Sequence, residues 1–186
     1  MSKNNKNSIK PIVMSSANLY LRPIQKEDVY RGWYEWINNS DISKNISSIF
    51  YKTHENLLEY IEASKPPNAM LFAICDHNDI YFGNARVSEV DWINKSCTYG
   101  RFIGDPDYRS KGYGTEILFL LLDYCFNSLG MNRVYTKVFS DNVASNKSNI
   151  KVGMTLEGTL REAQFSNGHF LDLNVYSMLK SDYISI

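Results

Sequence analysis

Apolar and polar residues along this chain recur with two periods, and the switches between them predict its elements. Residues 18–23 alternate as a short strand that ends on Pro23. In 25–37, Val29, Trp33 and Trp36/Ile37 recur at helical spacing, with Glu27 and Asp28 in the first turn. Asn38-Asn39-Ser40 breaks that helix, and a second starts near Asp41. Thr53 caps a third, which runs through Leu57, Leu58 and Ile61 to Ala63 and stops before Pro66-Pro67. Three strands follow, at 70–75, 80–92 and 96–103, with Gly83 read as a bulge. A long, mostly apolar helix over 114–129 closes on Gly130. Then come a strand at 133–139, a helix from Asp141-Asn142 to Lys151, and strands at 154–165 and 169–180 joined across Ser166-Asn167-Gly168.

This order predicts an α+β (mixed α/β) fold: a twisted, mostly antiparallel sheet of six to seven strands flanked by helices. Residues 1–15 read as a loose polar tail and 16–186 as one domain. Lysine plus arginine equal aspartate plus glutamate at 20 each, so no basic excess points to nucleic acid. The odd count of three cysteines, without CxxC spacing, implies neither a disulfide framework nor a zinc site. Cys75, Cys97 and Cys125 fall in apolar runs and read as buried thiols, which suits a reducing cytoplasm. The polar first ten residues do not read as a secretory signal, and no apolar stretch approaches membrane-spanning length.

One stretch carries chemistry. Tyr99-Gly100-Arg101-Phe102-Ile103-Gly104 reads as a strand ending in glycine, and Arg109-Ser110-Lys111-Gly112-Tyr113-Gly114 tips directly into the long helix. First-turn amides have no partner inside their own helix and carry partial positive charge. Glycine lets an anion approach them closely. Strand, glycine loop and helix start together form a candidate phosphate cradle; a plain strand-to-helix turn is the structural alternative.

Arg109-x-x-Gly112-x-Gly114 fits the [Gln/Arg]-x-x-Gly-x-[Gly/Ala] loop of the GNAT N-acyltransferases. Asp141-Asn142, with a helix ending at Gly153, fits the family's second cofactor motif. Leu160-Arg161-Glu162-Ala163 and Asn167-Gly168-His169-Phe170-Leu171-Asp172 fit the terminal hairpin of the ribosomal-protein N-terminal acetyltransferase subgroup. The chain therefore resembles a GNAT enzyme over essentially its whole length. That resemblance implies acetyl-CoA or another short acyl-CoA as cofactor, with the pyrophosphate on the amides of Arg109, Ser110, Lys111, Gly112, Tyr113, Gly114 and Thr115. It puts the pantetheine arm along Phe102 and Ile103, with Asn142 and Asn149 near the acyl end. It implies a sheet splayed centrally at that site and direct attack of an amine on the thioester in a ternary complex, with backbone amides near Phe102 stabilising the oxyanion.

Attack requires loss of a proton from the amine. The acid that GNAT enzymes often carry two residues before Gly100 is replaced by Thr98. Glu89 is the first choice of base, with Asp91, Glu162, Asp172, His54 and His169 as further candidates. The family's tyrosine on the helix after the asparagine is replaced by Asn149, and Ser145 lies one turn earlier on the same face. Segments around Trp33-Tyr34-x-Trp36 and Gly83-Asn84-Ala85-Arg86 resemble enzymes that acylate nucleotide-linked amino sugars for surface polysaccharides. On that basis Trp36, Phe50, Tyr51 and Trp92 are candidate stacking surfaces, and Arg22, Arg86 or Arg101 would lie near a diphosphate. His54 and Tyr99 join the acceptor site. No metal site, nucleic acid or membrane partner is expected, and pairing into a homodimer is left open. The leading expectation is a nucleotide-linked amino-sugar N-acyltransferase. The alternatives are a protein N-terminal or other small-amine acetyltransferase, and a non-catalytic acyl-CoA-binding protein.

Overall fold

The computed structural model describes residues 11–46, 50–166 and 168–183. Eight strands form one sheet in the order β1-β2-β3-β4-β5-β6-β8-β7. They are β1 (Met14–Ser15), β2 (Leu19–Pro23), β3 (Met70–Asp76), β4 (Tyr81–Asp91), β5 (Ser96–Ile103), β6 (Arg133–Phe139), β7 (Thr155–Ser166) and β8 (His169–Leu179). Every pairing is antiparallel except β5 with β6. The helices are α1 (Trp33–Asn38), α2 (Ser40–Ser43), α3 (His54–Ala63), α4 (Tyr113–Asp123) and α5 (Val143–Lys151). The α+β expectation holds, with one strand more than the expected upper count. That strand, Met14–Ser15, falls inside the stretch read as a loose tail and pairs with Leu21 and Tyr20. Asn167, expected in the hairpin turn, lies outside the described residues.

Two apolar clusters sandwich the sheet. On one face Ile117, Leu118, Leu121 and Leu122 of α4 are fully buried against Phe72, Ile74, Phe82 and Val87. Each such side chain contributes about 1.5–3 kcal/mol of transfer free energy. On the other face Val29, Trp33, Leu57 and Ile61 cover Leu71, Ala73 and Tyr81. A strand with helices on both sides must be apolar in both directions, which accounts for β3 running buried from Met70 to Cys75 without alternation.

The helix expected over 25–37 is instead two pieces: a 3₁₀ turn at Lys26–Tyr30 and then α1. Gly32 separates them with φ of 117°. The Trp36 ring lies where a Cβ on Gly32 would be, 2.6 Å from Cζ2, so the chain can pass only with glycine there. The turn is also pinned from below. Arg22 and Asp28, 1% and 0% exposed, form a two-bonded ion pair at 2.7 Å. Burial pulls the Arg22 guanidinium down, and Asp28 more than reverses it. Arg22 is thus a structural residue, and it does not line the cleft under α1 and α3 described below. The apolar helix over 114–129 likewise changes character: α4 stops at Asp123 and continues as a π turn over Tyr124–Ser128.

Candidate active site

The centre of the sheet opens where β5 leaves β6. The two pair only at Ser96↔Arg133, Cys97↔Val134 and Thr98↔Tyr135. β6 then stays with β8 along its full length, while β5 stays with β4 as far as Gly83↔Ile103. Beyond Thr98 the ladder is replaced by a side-chain bridge, the Thr136 hydroxyl donating to Tyr99 O at 3.2 Å. The backbone edge of β5 past that point faces a gap, as the expected central splay requires.

The glycine loop closes one end of this gap. Gly112 is the N-cap of α4 in the left-handed region, φ 87°, and no side chain caps the helix. A Cβ on Gly112 would meet nothing within 4 Å, so the loop is open at that residue. Ser110 adds a second left-handed residue at φ 59°. The Arg109 side chain does not point into that space. Its Nε and Nη2 donate to Ile103 O at 3.0 and 2.8 Å, and Nη2 also donates to Ile42 O at 3.0 Å. It therefore braces the loop and ties it to α2, leaving backbone amides to meet an anion. Tyr113 also turns inward, 5.8 Å from Phe82, beside the Phe82–Tyr108 stack. Lys111 stays outside over the Tyr108 ring, and Thr115 N–H donates to Gly112 O, continuing the helix. Arg101, from the splayed strand, reaches beneath this end: its Nη2 donates to Ser148 Oγ, and its Nε lies 3.7 Å from where a Gly114 Cβ would be.

Helix α5 borders the gap on the far side. Asn142 caps it, Oδ1 accepting from Ser145 N–H at 3.2 Å, so that oxygen is committed to the helix. Two turns on, Asn149 is completely buried. Its Oδ1 accepts from the Tyr99 hydroxyl at 2.7 Å, and its Nδ2 has no partner. Burial pushes the Tyr99 phenol up to about 12. Ser145 is half-buried one turn before Asn149 and accepts from Ser148 through its carbonyl.

On the opposite face of the sheet a cleft of about 510 Å³ lies under α1 and α3. Trp33, Asn56, Tyr60, Arg86, Ser88 and Phe102 are among its lining residues. Cross-strand partners share a face, so Ser88, Thr98 and Tyr135 stand in one row across β4, β5 and β6 beside this cleft. The Tyr135 hydroxyl donates to Glu89 Oε2 at 2.7 Å. That bond, with burial second, raises the phenol to about 12.

Arg86, Phe102 and Tyr99 line this cleft, the last with its phenol turned to Asn149 on the other face. Three expected acceptor residues do not. Trp36 is a wedge: a Cβ on Gly104 would sit 2.0 Å from its Cε3, and Tyr81 packs 5.2 Å away. Trp92 donates to Pro67 O at 3.2 Å in the β4–β5 turn region. His54 is stacked on Tyr34 and Tyr30 at 4.0 and 4.8 Å. Apolar or planar side chains at helix and strand ends serve packing as readily as binding, and sequence spacing does not separate the two. Glu89 is exposed, at a bulge with φ 50°, next to Ser88 but outside the lining. Sequence reasoning missed Tyr135, Lys52 and Tyr60; only cross-strand register and the fold of α3 bring them here. Among the described residues no cluster of His, Cys, Asp or Glu could hold a metal ion.

Residues 18–155 match the family described as Acetyltransferase (GNAT) domain. This chain belongs to the GNAT acetyltransferase family. It is an acyl-CoA-dependent N-acetyltransferase, and the uncapped α4 start, the open space at Gly112 and the splay fit that cofactor. Among relatives named for an activity, a spermidine N(1)-acetyltransferase of Vibrio cholerae is 25% identical over 91% of this chain and 98% of that protein. The ribosomal-protein-serine acetyltransferase of Escherichia coli is 26% identical over 60% of this chain and 61% of that one. The fold matches the crystal structure of a Vibrio cholerae spermidine N-acetyltransferase in complex with CoA and spermine, with TM-score 0.84 and 24% identity, covering 90% of this chain and 99% of that one. None of the three is named for a sugar. Among the described residues no helix is long and apolar enough to cross a membrane.

Proposed function

We propose that this GNAT enzyme transfers an acetyl group from acetyl-CoA to the amine of a small molecule, not to a nucleotide-linked amino sugar. One observation carries the reading: a cleft of about 510 Å³, within the size range of small-ligand sites, meets the sheet where the splay begins. Of the four stacking walls expected for a sugar nucleotide, Trp36, Phe50, Tyr51 and Trp92, none lines this cleft.

The bound cofactor supplies an activated acyl thioester; the chain supplies placement and proton handling. The amides of residues 112–114 and the α4 N-terminus would hold the pyrophosphate. The unpaired edge of β5 past Thr98 would hold the pantetheine amides. Asn149 Nδ2, buried without an acceptor, is a donor waiting for one near the thioester end. Proton removal falls to the row that replaces the missing strand acid. Tyr135, beside Thr98, would take the amine's proton as it passes its own to Glu89 across their 2.7 Å hydrogen bond. A phenol raised to about 12 stays protonated at neutral pH, as this relay requires.

Thiol release from acetyl-CoA should be followed with a panel of small amines, peptide N-termini and nucleotide-linked amino sugars. Small-amine turnover is expected. Tight acetyl-CoA binding without thiol release for any acceptor would leave only the binding-protein reading. Tyr135→Phe and Glu89→Gln should each cut kcat about 10²-fold or more while leaving the KM for acetyl-CoA in place. Full activity in both would remove the relay.

A further inference from the structure

The cleft's charge is one-sided. Its lining contains Lys52, Arg86 and Arg101 and no aspartate or glutamate. Among the described residues none of these three forms an ion pair. Arg101 is engaged with Ser148 and belongs to the cofactor end. Arg86 belongs to the acceptor end. It is half-buried on the cleft face of β4, one strand-repeat from the Ser88–Thr98–Tyr135 row. Among the described residues its one side-chain hydrogen bond is Nη1 donating to the Tyr60 hydroxyl at 3.0 Å, and its guanidinium lies 5.0 Å over the Tyr60 ring. Its Nε is buried with no partner.

A half-buried guanidinium with a buried, unpartnered Nε and no carboxylate beside it is a ready partner for an anion. Its planar donors match the two oxygens of a carboxylate or phosphate. Two residues along a strand is about 7 Å and two strand spacings about 10 Å, so the Arg86 backbone stands roughly 12 Å from that of Tyr135, a gap its own long side chain and a short linker span. A second ammonium group at that distance would be repelled, on the order of tenfold in affinity for each charge. Resting on the small-amine reading above, we infer that the acceptor is an amine that also carries an oxyanion, carboxylate or phosphate, bound by Arg86 with Lys52 at the rim. Polycationic amines are disfavoured. The chain thus shares its fold with enzymes named for spermidine while its cleft carries the opposite charge preference.

The test uses acceptors on one skeleton: ethanolamine, O-phosphoethanolamine, β-alanine and 1,3-diaminopropane, with spermidine beside them. Thiol release and calorimetric titration of each compound are measured on the full chain. The expected result is kcat/KM at least tenfold higher for an anionic amine than for the neutral and dicationic ones. Preference for O-phosphoethanolamine over β-alanine assigns the anion as phosphate, and the reverse assigns carboxylate. Arg86→Met should raise KM for the preferred anionic amine at least tenfold, with KM for acetyl-CoA within about twofold. Arg86→Lys should recover part of the loss, which separates charge from folding. Spermidine as the best substrate, or an Arg86→Met effect equal for all charges, overturns the inference. If no amine releases thiol, the acetyltransfer reading fails, and titration still decides this one: equal binding of anionic and cationic amines to wild type overturns it.

Discussion

Replacing Gly112 by alanine should separate backbone strain from cofactor binding. Gly112 sits at φ 87° with nothing within 4 Å of its would-be Cβ. The methyl therefore meets no protein atom, and its folding cost is the left-handed backbone alone, about 1–2 kcal/mol. For a domain of this size that lowers Tm by about 2–4 °C per kcal/mol. The binding cost is separate, because on the proposed placement that same open space is where the cofactor's pyrophosphate would approach the α4 amides. Losing one hydrogen bond to a charged group costs about 1.5–3 kcal/mol, or roughly 10- to 100-fold in Kd. Gly130 provides the control. It too is left-handed, at φ 66°, with nothing near its would-be Cβ, but it lies beyond the far end of the α4 segment. Gly112→Ala and Gly130→Ala should show comparable losses of Tm by calorimetry. Only the first should weaken acetyl-CoA binding by titration. Gly112→Glu should abolish binding, since it adds a negative charge facing the phosphates. Equal acetyl-CoA affinity in Gly112→Ala and Gly130→Ala would refute the placement of the pyrophosphate.

Three further outcomes test the frame around the site. Gly104→Ala places a Cβ 2.0 Å from the Trp36 ring, so it should destabilise by about 1–3 kcal/mol in chemical denaturation, and Trp36→Leu in the same chain should relieve part of that. Asp28→Asn leaves Arg22 buried beside a neutral group and should cost about 3–5 kcal/mol, whereas the double variant Arg22→Met/Asp28→Leu should recover most of it; an additive double loss would refute the pair as the cause. The Arg133 guanidinium and the Ser177 hydroxyl hold the Glu157 carboxyl down, from 4.5 to about 2. A depressed carboxyl stabilises the fold above its unfolded value and ceases to as pH falls through the folded one. Glu157→Gln should therefore lower Tm at pH 7, with the gap to wild type closing between pH 4.5 and 2.

Much of the donor half was legible in order along the chain. The glycine loop, the strand before it, α4 after it and the capped α5 are local features, each set by residues within a few positions of one another. Gly112 can take the left-handed N-cap conformation at little cost, and the apolar run after it has to be helical and buried. The α4 and β3 cores were legible for a similar reason, because long apolar runs have to be buried.

The acceptor half was not legible, since it depends on which side chains the sheet brings into one row. Trp36 looked like a binding surface and wedges against Gly104, and Trp92 lies outside the cleft lining with its Nε1 on Pro67 O; Tyr135 looked like an ordinary strand residue and stands beside Thr98. Strand register decides such matters, because a slip of one residue would turn every side chain to the other face. The sequence by itself therefore determined the fold family and the donor: both rest on local backbone chemistry and apolar periodicity. Only the tertiary structure decided the character of the acceptor cleft. Whether Arg86 is paired or free, and whether any carboxylate shares its cleft, depends on α3 and three strands meeting from distant parts of the chain.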